Sequence, residues 1–85
     1  MEKNNKKIYV ITGSTSGIGL ELTKEFAKEN IVFAGFRNND FEKNLKEISE
    51  NVIPFFFFFT DITAIKSAIE FIKSKSTNID TLINV

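Results

Sequence analysis

Thr12, Gly13, Ser14, Thr15, Ser16, Gly17, Ile18 and Gly19 stand directly behind a short apolar run, IYVI, and ahead of LELTKEFA, which has helical spacing. Three glycines so placed suit a tight passage from a buried strand into a helix. Gly13 lets the chain turn where a β-carbon would clash, Gly17 lets a ligand approach the backbone, and Gly19 lets the helix pack closely on the sheet. The free amides of the first helical turn then face the ligand, and the helix dipole favours a phosphate there. The hydroxyls of Ser14, Thr15 and Ser16 are expected at phosphate-facing or turn-stabilising positions. Spacing excludes the nucleotide-triphosphate loop GxxxxGK[ST], because Leu20 rather than a lysine follows Gly19.

Further candidates lie downstream. NAD sites carry an acidic residue near the end of the second strand, where it accepts bonds from the ribose 2′-hydroxyl. Here the segment reads AGFRNND, and Arg37 occupies that region. A guanidinium fork suits a 2′-phosphate, so the sequence favours NADP over NAD; a solvated loop cation is the plainer alternative. Asp61, in TDIT, falls at the carboxyl end of a third strand and is expected to accept a bond from an adenine amino group. Its competing role is to cap a helix beginning at Ala64, with Thr63 as a rival cap. Asn84 falls at the end of a fourth strand, on the same ligand side.

Other chemistry is closed off by composition. There are no cysteines and no histidines, which removes disulfides, thiolate nucleophiles, imidazole catalysis and most transition-metal sites. Asp40, Asp61 and Asp80 are the only aspartates and sit in separate segments, so no carboxylate pair or cation loop is expected. Eleven basic and eleven acidic residues balance to zero net charge, which speaks against a nucleic-acid or acidic-membrane partner. The basic start, residues 1–7, precedes an apolar run too short to span a bilayer or form a signal core, and a cytoplasmic address is expected.

The elements that must position these residues alternate. Residues 7–12 read as a buried strand, and an amphipathic helix follows from Gly17 to Glu29 or Asn30, with Ile18, Leu22, Phe26 and Ala27 on its apolar face. Residues 31–35 form a second strand. Asn38, Asn39 or Asp40 caps a second helix striped by Phe41, Leu45 and Ile48. Residues 52–59 form a third strand, with Pro54 tolerated near its start or at an edge, and the run FFFFF at 55–59 is expected as bulk buried on both faces. A third helix carries Ile65, Ala68, Ile69 and Ile72 inward and frays through residues 74–78. Residues 79–85 make a fourth strand. The expectation is one α/β domain over residues 1–85, a βαβαβαβ portion of a Rossmann fold with a parallel sheet in the order 3-2-1-4.

These motifs resemble the short-chain dehydrogenase/reductase family. TGSTSGIG matches the family's TGxxxGIG in full, Arg37 matches the basic residue of its NADP-preferring members, and Asp61 with Ile62 matches the pair that flanks adenine. IDTLIN at 79–84 is similar to the segment leading into Asn-Asn-Ala-Gly, with Asn84 as the first asparagine. The resemblance covers the family's first third. It implies that Gly13, Ser14, Thr15, Ser16, Gly17, Ile18, Gly19, Arg37, Asp61, Ile62 and Asn84 bind the dinucleotide, with Ile18 near the nicotinamide side. It also implies hydride transfer between NADP(H) and a carbonyl in a full-length relative, with a tyrosine of a Tyr-x-x-x-Lys pair as general acid.

This sequence departs from the family in several places. Asn30 stands where glycine is common, in a turn about one residue short, and the third helix looks about one turn short. Val85 interrupts Asn-Asn-Ala-Gly, and neither the catalytic serine nor Tyr-x-x-x-Lys occurs; Tyr9, the sole tyrosine, lies within the first strand. The expectation is a dinucleotide-binding amino-terminal portion without catalysis of its own, with a small nucleotide-binding or protein-interaction module as the alternative. An apolar strand at 82–85 on the sheet edge invites self-association or aggregation.

Overall fold

The computed structural model describes residues 6–76 and 78–85. Residues 1–5 of the basic start and Thr77 of the polar stretch at 74–78 lie outside the described residues. Strand β1 (Ile8–Ile11) leads to helix α1 (Gly17–Phe26) and strand β2 (Ile31–Phe36). A 3-10 turn (Asn39–Phe41) runs into the short helix α2 (Glu42–Lys46), followed by β3 (Val52–Phe56), helix α3 (Ile62–Lys75) and β4 (Thr81–Ile83). All strand pairs are parallel and the order is β3-β2-β1-β4, the expected portion of a Rossmann fold.

Alternation along the strands divides the core. Ile11, Val32, Ala34, Phe36 and Val52 face α1 and α2, together with Ala27 and Leu45. Val10, Phe33 and Phe55 face α3, where Ala68 and Ile72 cover them. Each fully buried Ile, Val or Phe side chain contributes roughly 1.5–3 kcal/mol from the area it removes from water, so the two clusters hold helices on both faces.

Polar clamps fix the strand ends. At the start of β4 the Asp80 amide donates to the Ile8 carbonyl at 2.9 Å, and the Asp80 carboxylate accepts from the Ile8 amide at 2.7 Å. At its far end the Thr12 amide donates to the Ile83 carbonyl at 3.1 Å. Asn30 closes the turn before β2 through its side chain. Its side-chain amide donates to the Phe26 carbonyl at 3.1 Å, closing α1, while its side-chain oxygen accepts from the Lys7 amide at 3.2 Å at the start of β1. The described non-glycine residues show no positive φ, so this turn needs no glycine.

Three expectations are corrected. Ile18 is 72% exposed at the head of α1, because the side actually against the sheet carries Gly19 and Thr23 as well as Ala27. In α3, Ala64, Ala68 and Ile72 are buried while Ile69 is 49% exposed; two rows of side chains four apart were available, and the smaller one lies against the sheet. The phenylalanine run is not doubly buried. β3 is an edge strand that ends at Phe56, only Phe55 of the five is fully buried, and Pro54 sits where an edge tolerates a missing N–H.

Candidate dinucleotide site

The turn after β1 is built on close approaches. A β-carbon on Gly19 would lie 1.5 Å from the Gly13 carbonyl oxygen, and one on Gly35 would lie 2.3 Å from that of Thr12. Both obstacles are backbone, so neither can swing aside. Gly35 therefore lets the end of β2 press against the turn, and its carbonyl accepts from the Ser14 amide at 3.0 Å. Gly17 is different. Its φ is +58°, a left-handed conformation suited to glycine, and a β-carbon there would meet nothing within 4 Å.

The two long helices begin in opposite ways. Asp61 caps α3, its Oδ1 accepting from the Thr63 amide at 2.9 Å and the Ala64 amide at 3.3 Å. Ser16 occupies the corresponding place before α1 but makes no side-chain cap, and no acid stands in the first turn. An uncapped helix start beside a left-handed glycine with open space suits an anionic group such as a phosphate.

Beside that turn lies a cleft of about 620 Å³ at the carboxyl ends of the strands. Gly13, Thr15, Arg37 and Asn84 line it, joined by Phe57, Phe59 and Leu82 among others. Arg37 is exposed, with its guanidinium carbon 5.4 Å from the centre of the Phe58 ring. The Asn84 side-chain oxygen accepts from the Thr12 hydroxyl at 2.8 Å, and that hydroxyl accepts from the Val85 amide at 3.0 Å. Among the described residues the Asn84 side-chain nitrogen makes no hydrogen bond.

The predicted residues thus separate into groups. Gly13, Thr15, Arg37 and Asn84 meet in the cleft; Ser16, Gly17 and Ile18 form the open start of α1, and Gly19 is buried against the Gly13 backbone. Ser14 takes the turn-stabilising one of its two roles. It is fully buried, its hydroxyl donates to the Ile11 carbonyl at 3.1 Å and its amide donates to the Gly35 carbonyl, so both groups hold the turn. Asp61 takes up the capping role with one oxygen in preference to its rival Thr63, and the helix starts at Ile62 rather than Ala64. Asp61 and Ile62 stand at the head of α3, outside the residues that line the cleft. Two contributors had no role assigned from sequence: Thr12, named only as part of the motif, which ties β1 to the end of β4, and Gly35, legible in hindsight as a glycine two residues before Arg37.

A doubly wound parallel sheet with a glycine turn, an open helix start and a cleft beyond its strand ends defines a nucleotide-binding α/β protein. The chain belongs to the short chain dehydrogenase family, whose model matches residues 7–85. A 7alpha-hydroxysteroid dehydrogenase from Bacteroides fragilis is 29% identical over 89 aligned positions, covering 99% of this chain and 34% of that protein. Among solved structures, the menthone neomenthol reductase from Mentha piperita superposes with a TM-score of 0.80 at 25% identity, over 95% of this chain and 31% of that one. The chain therefore spans about a third of the length of these relatives.

Proposed function

We propose that this chain is the NADP-preferring, dinucleotide-binding portion of a short-chain reductase whose complete form moves hydride between NADP(H) and a carbonyl or alcohol. The observation that carries the reading is the contrast at the helix starts. α3 is capped by Asp61, whereas α1 is uncapped, begins on a left-handed Gly17 with open space, and adjoins a cleft containing Arg37. Pyrophosphate belongs at the start of α1, and a 2′-phosphate at Arg37. Asp61, through the oxygen that does not cap α3, and its neighbour Ile62 flank adenine, and the Asn84 amide donates from the β4 side. The relatives' names pair a hydroxysteroid with a dehydrogenase and menthone with a reductase, which fits alcohol–carbonyl exchange as the reaction class. A cytoplasmic address goes with this reading.

Titration of the purified chain with NADPH and NADH, followed by calorimetry and thermal unfolding, tests it. Saturable binding that raises Tm, tighter for NADPH, is the expected result. A folded chain that binds neither dinucleotide overturns the site; equal affinities overturn the NADP preference alone.

A specific observation favours a second reading, self-association. β4 is a three-residue edge strand whose Leu82 is 64% exposed, with Ile79 and Val85 exposed beside it. Unpaired edge amides and carbonyls beside apolar side chains form a template for strand pairing.

A further inference from the structure

Phe58, unlike Phe55, Phe57 and Phe59, belongs to neither the core clusters nor the cleft wall. Phe55 and Phe57 pack with the α3-side cluster, Phe56 meets Phe36 edge-on at 6.1 Å between ring centres, and Phe57 and Phe59 line the cleft. Phe58 instead lies half-buried beneath Arg37, 5.4 Å from ring centre to guanidinium carbon. Backbone bonds set this geometry. The Phe57 amide donates to the Phe36 carbonyl at 2.8 Å, so the next residue on each side, Phe58 and Arg37, leaves the sheet side by side. The Asp61 amide donates to the Phe58 carbonyl at 3.0 Å and closes the turn that carries the ring. Ion pairs among the described residues join Lys24 to Glu21, Lys28 to Glu25 and Lys46 to Glu42; none engages Arg37.

We propose that Phe58 is a positioning residue that sets dinucleotide specificity by holding the Arg37 guanidinium ready for a phosphomonoester on the ribose. The proposal rests on the dinucleotide reading of the cleft given above. An aromatic face attracts the cation and leaves the in-plane N–H groups pointing outward, where they form the fork that a phosphate accepts. The ring also restricts a long side chain before any ligand arrives, lowering the ordering cost of binding. Only a ligand with a phosphate at that position gains. NADH, which carries a hydroxyl there, is indifferent to the ring.

The test measures NADPH and NADH affinity for the unmodified chain, Phe58→Leu and Phe58→Tyr, with Tm as the check on folding. The expected result is a loss of about two- to five-fold in NADPH affinity for Phe58→Leu, the size of an exposed cation–π contact. NADH affinity stays unchanged, and Phe58→Tyr, which keeps the ring, restores the NADPH preference. A purely structural role lowers both affinities together and overturns the proposal, as does an unchanged ratio in a chain that still prefers NADPH. An unmodified chain that binds neither dinucleotide overturns the underlying reading and this proposal with it. A second measurement needs no variant: NMR of the unmodified chain should show upfield ring-current shifts on the Arg37 side-chain protons, and random-coil positions there sink the stack even if Phe58→Leu fails to fold.

Discussion

Gly17 and Gly19 are two residues apart, and the same substitution separates their roles. Alanine at 19 drives a β-carbon to 1.5 Å from the Gly13 carbonyl, so α1 must move off the sheet or the turn must open. Gly19→Ala is expected to cost about 3 kcal/mol, at the upper end for overpacking against unyielding atoms, and urea titration reads that loss as a lower midpoint. Alanine at 17 meets nothing within 4 Å but must hold φ at +58°, which costs roughly 1–2 kcal/mol of backbone strain. Its added methyl also occupies the open space at the helix start. Gly17→Ala should therefore fold and still lose roughly tenfold in NADPH affinity, about 1.4 kcal/mol by calorimetry. Full NADPH affinity in a folded Gly17→Ala chain would mean that this space is not where the pyrophosphate lies.

At the scale of elements, α3 depends on one carboxylate. Asp61 Oδ1 accepts from two amides that the helix cannot satisfy internally, so Asp61→Ala is expected to lower stability by about 1 kcal/mol. Asp61→Asn, which keeps an acceptor at the same place, should stay within a few tenths. Denaturant midpoints with an unchanged slope check both. Asp61 also shows what a sequence conveys about elements and what it withholds. TDIT before an apolar-periodic segment announces a helix start, but Asp61 and Thr63 are both competent caps, and only the path of the chain out of β3 decides between them. The rotation of α3 was hidden for a similar reason: Ile65 and Ile69 outweigh Ala64 and Ala68 in apolar area, yet a helix lying close to a sheet buries small side chains. FFFFF had one composition and several environments, because β3 stops at Phe56, after which Phe57 and Phe59 line the cleft and Phe58 meets Arg37. The glycine turn was legible because it depends on local chemistry, and the strand order followed only from the doubly wound arrangement that such a turn implies. The Thr12–Asn84 tie joins residues 72 positions apart, and no local pattern announces it.

For the whole molecule, the Cα radius of gyration is 12.1 Å, matching the roughly 12 Å of a compact chain of this length. β4 is held to β1 by the Asp80 and Thr12 clamps, so its backbone is fixed in extended form, and among the described residues no strand pairs with its outer edge. Leu82 pairs in register with Val10 and so stands on the α3 side of the sheet, beyond the reach of the side chains that cover Val10. A rigid, apolar edge is a better template for strand pairing than a frayed one, because the entropy of straightening it has already been lost on folding. Leu82→Lys places a charge on that edge at little cost to the core, since the side chain is already mostly in water. Light scattering after size exclusion should show a concentration-dependent dimer or larger species for the unmodified chain and a monomer for Leu82→Lys, with Tm at low concentration nearly unchanged. If the unmodified chain is monomeric at every accessible concentration, the β4 edge does not self-associate. If Leu82→Lys still associates, the contact lies elsewhere on the surface.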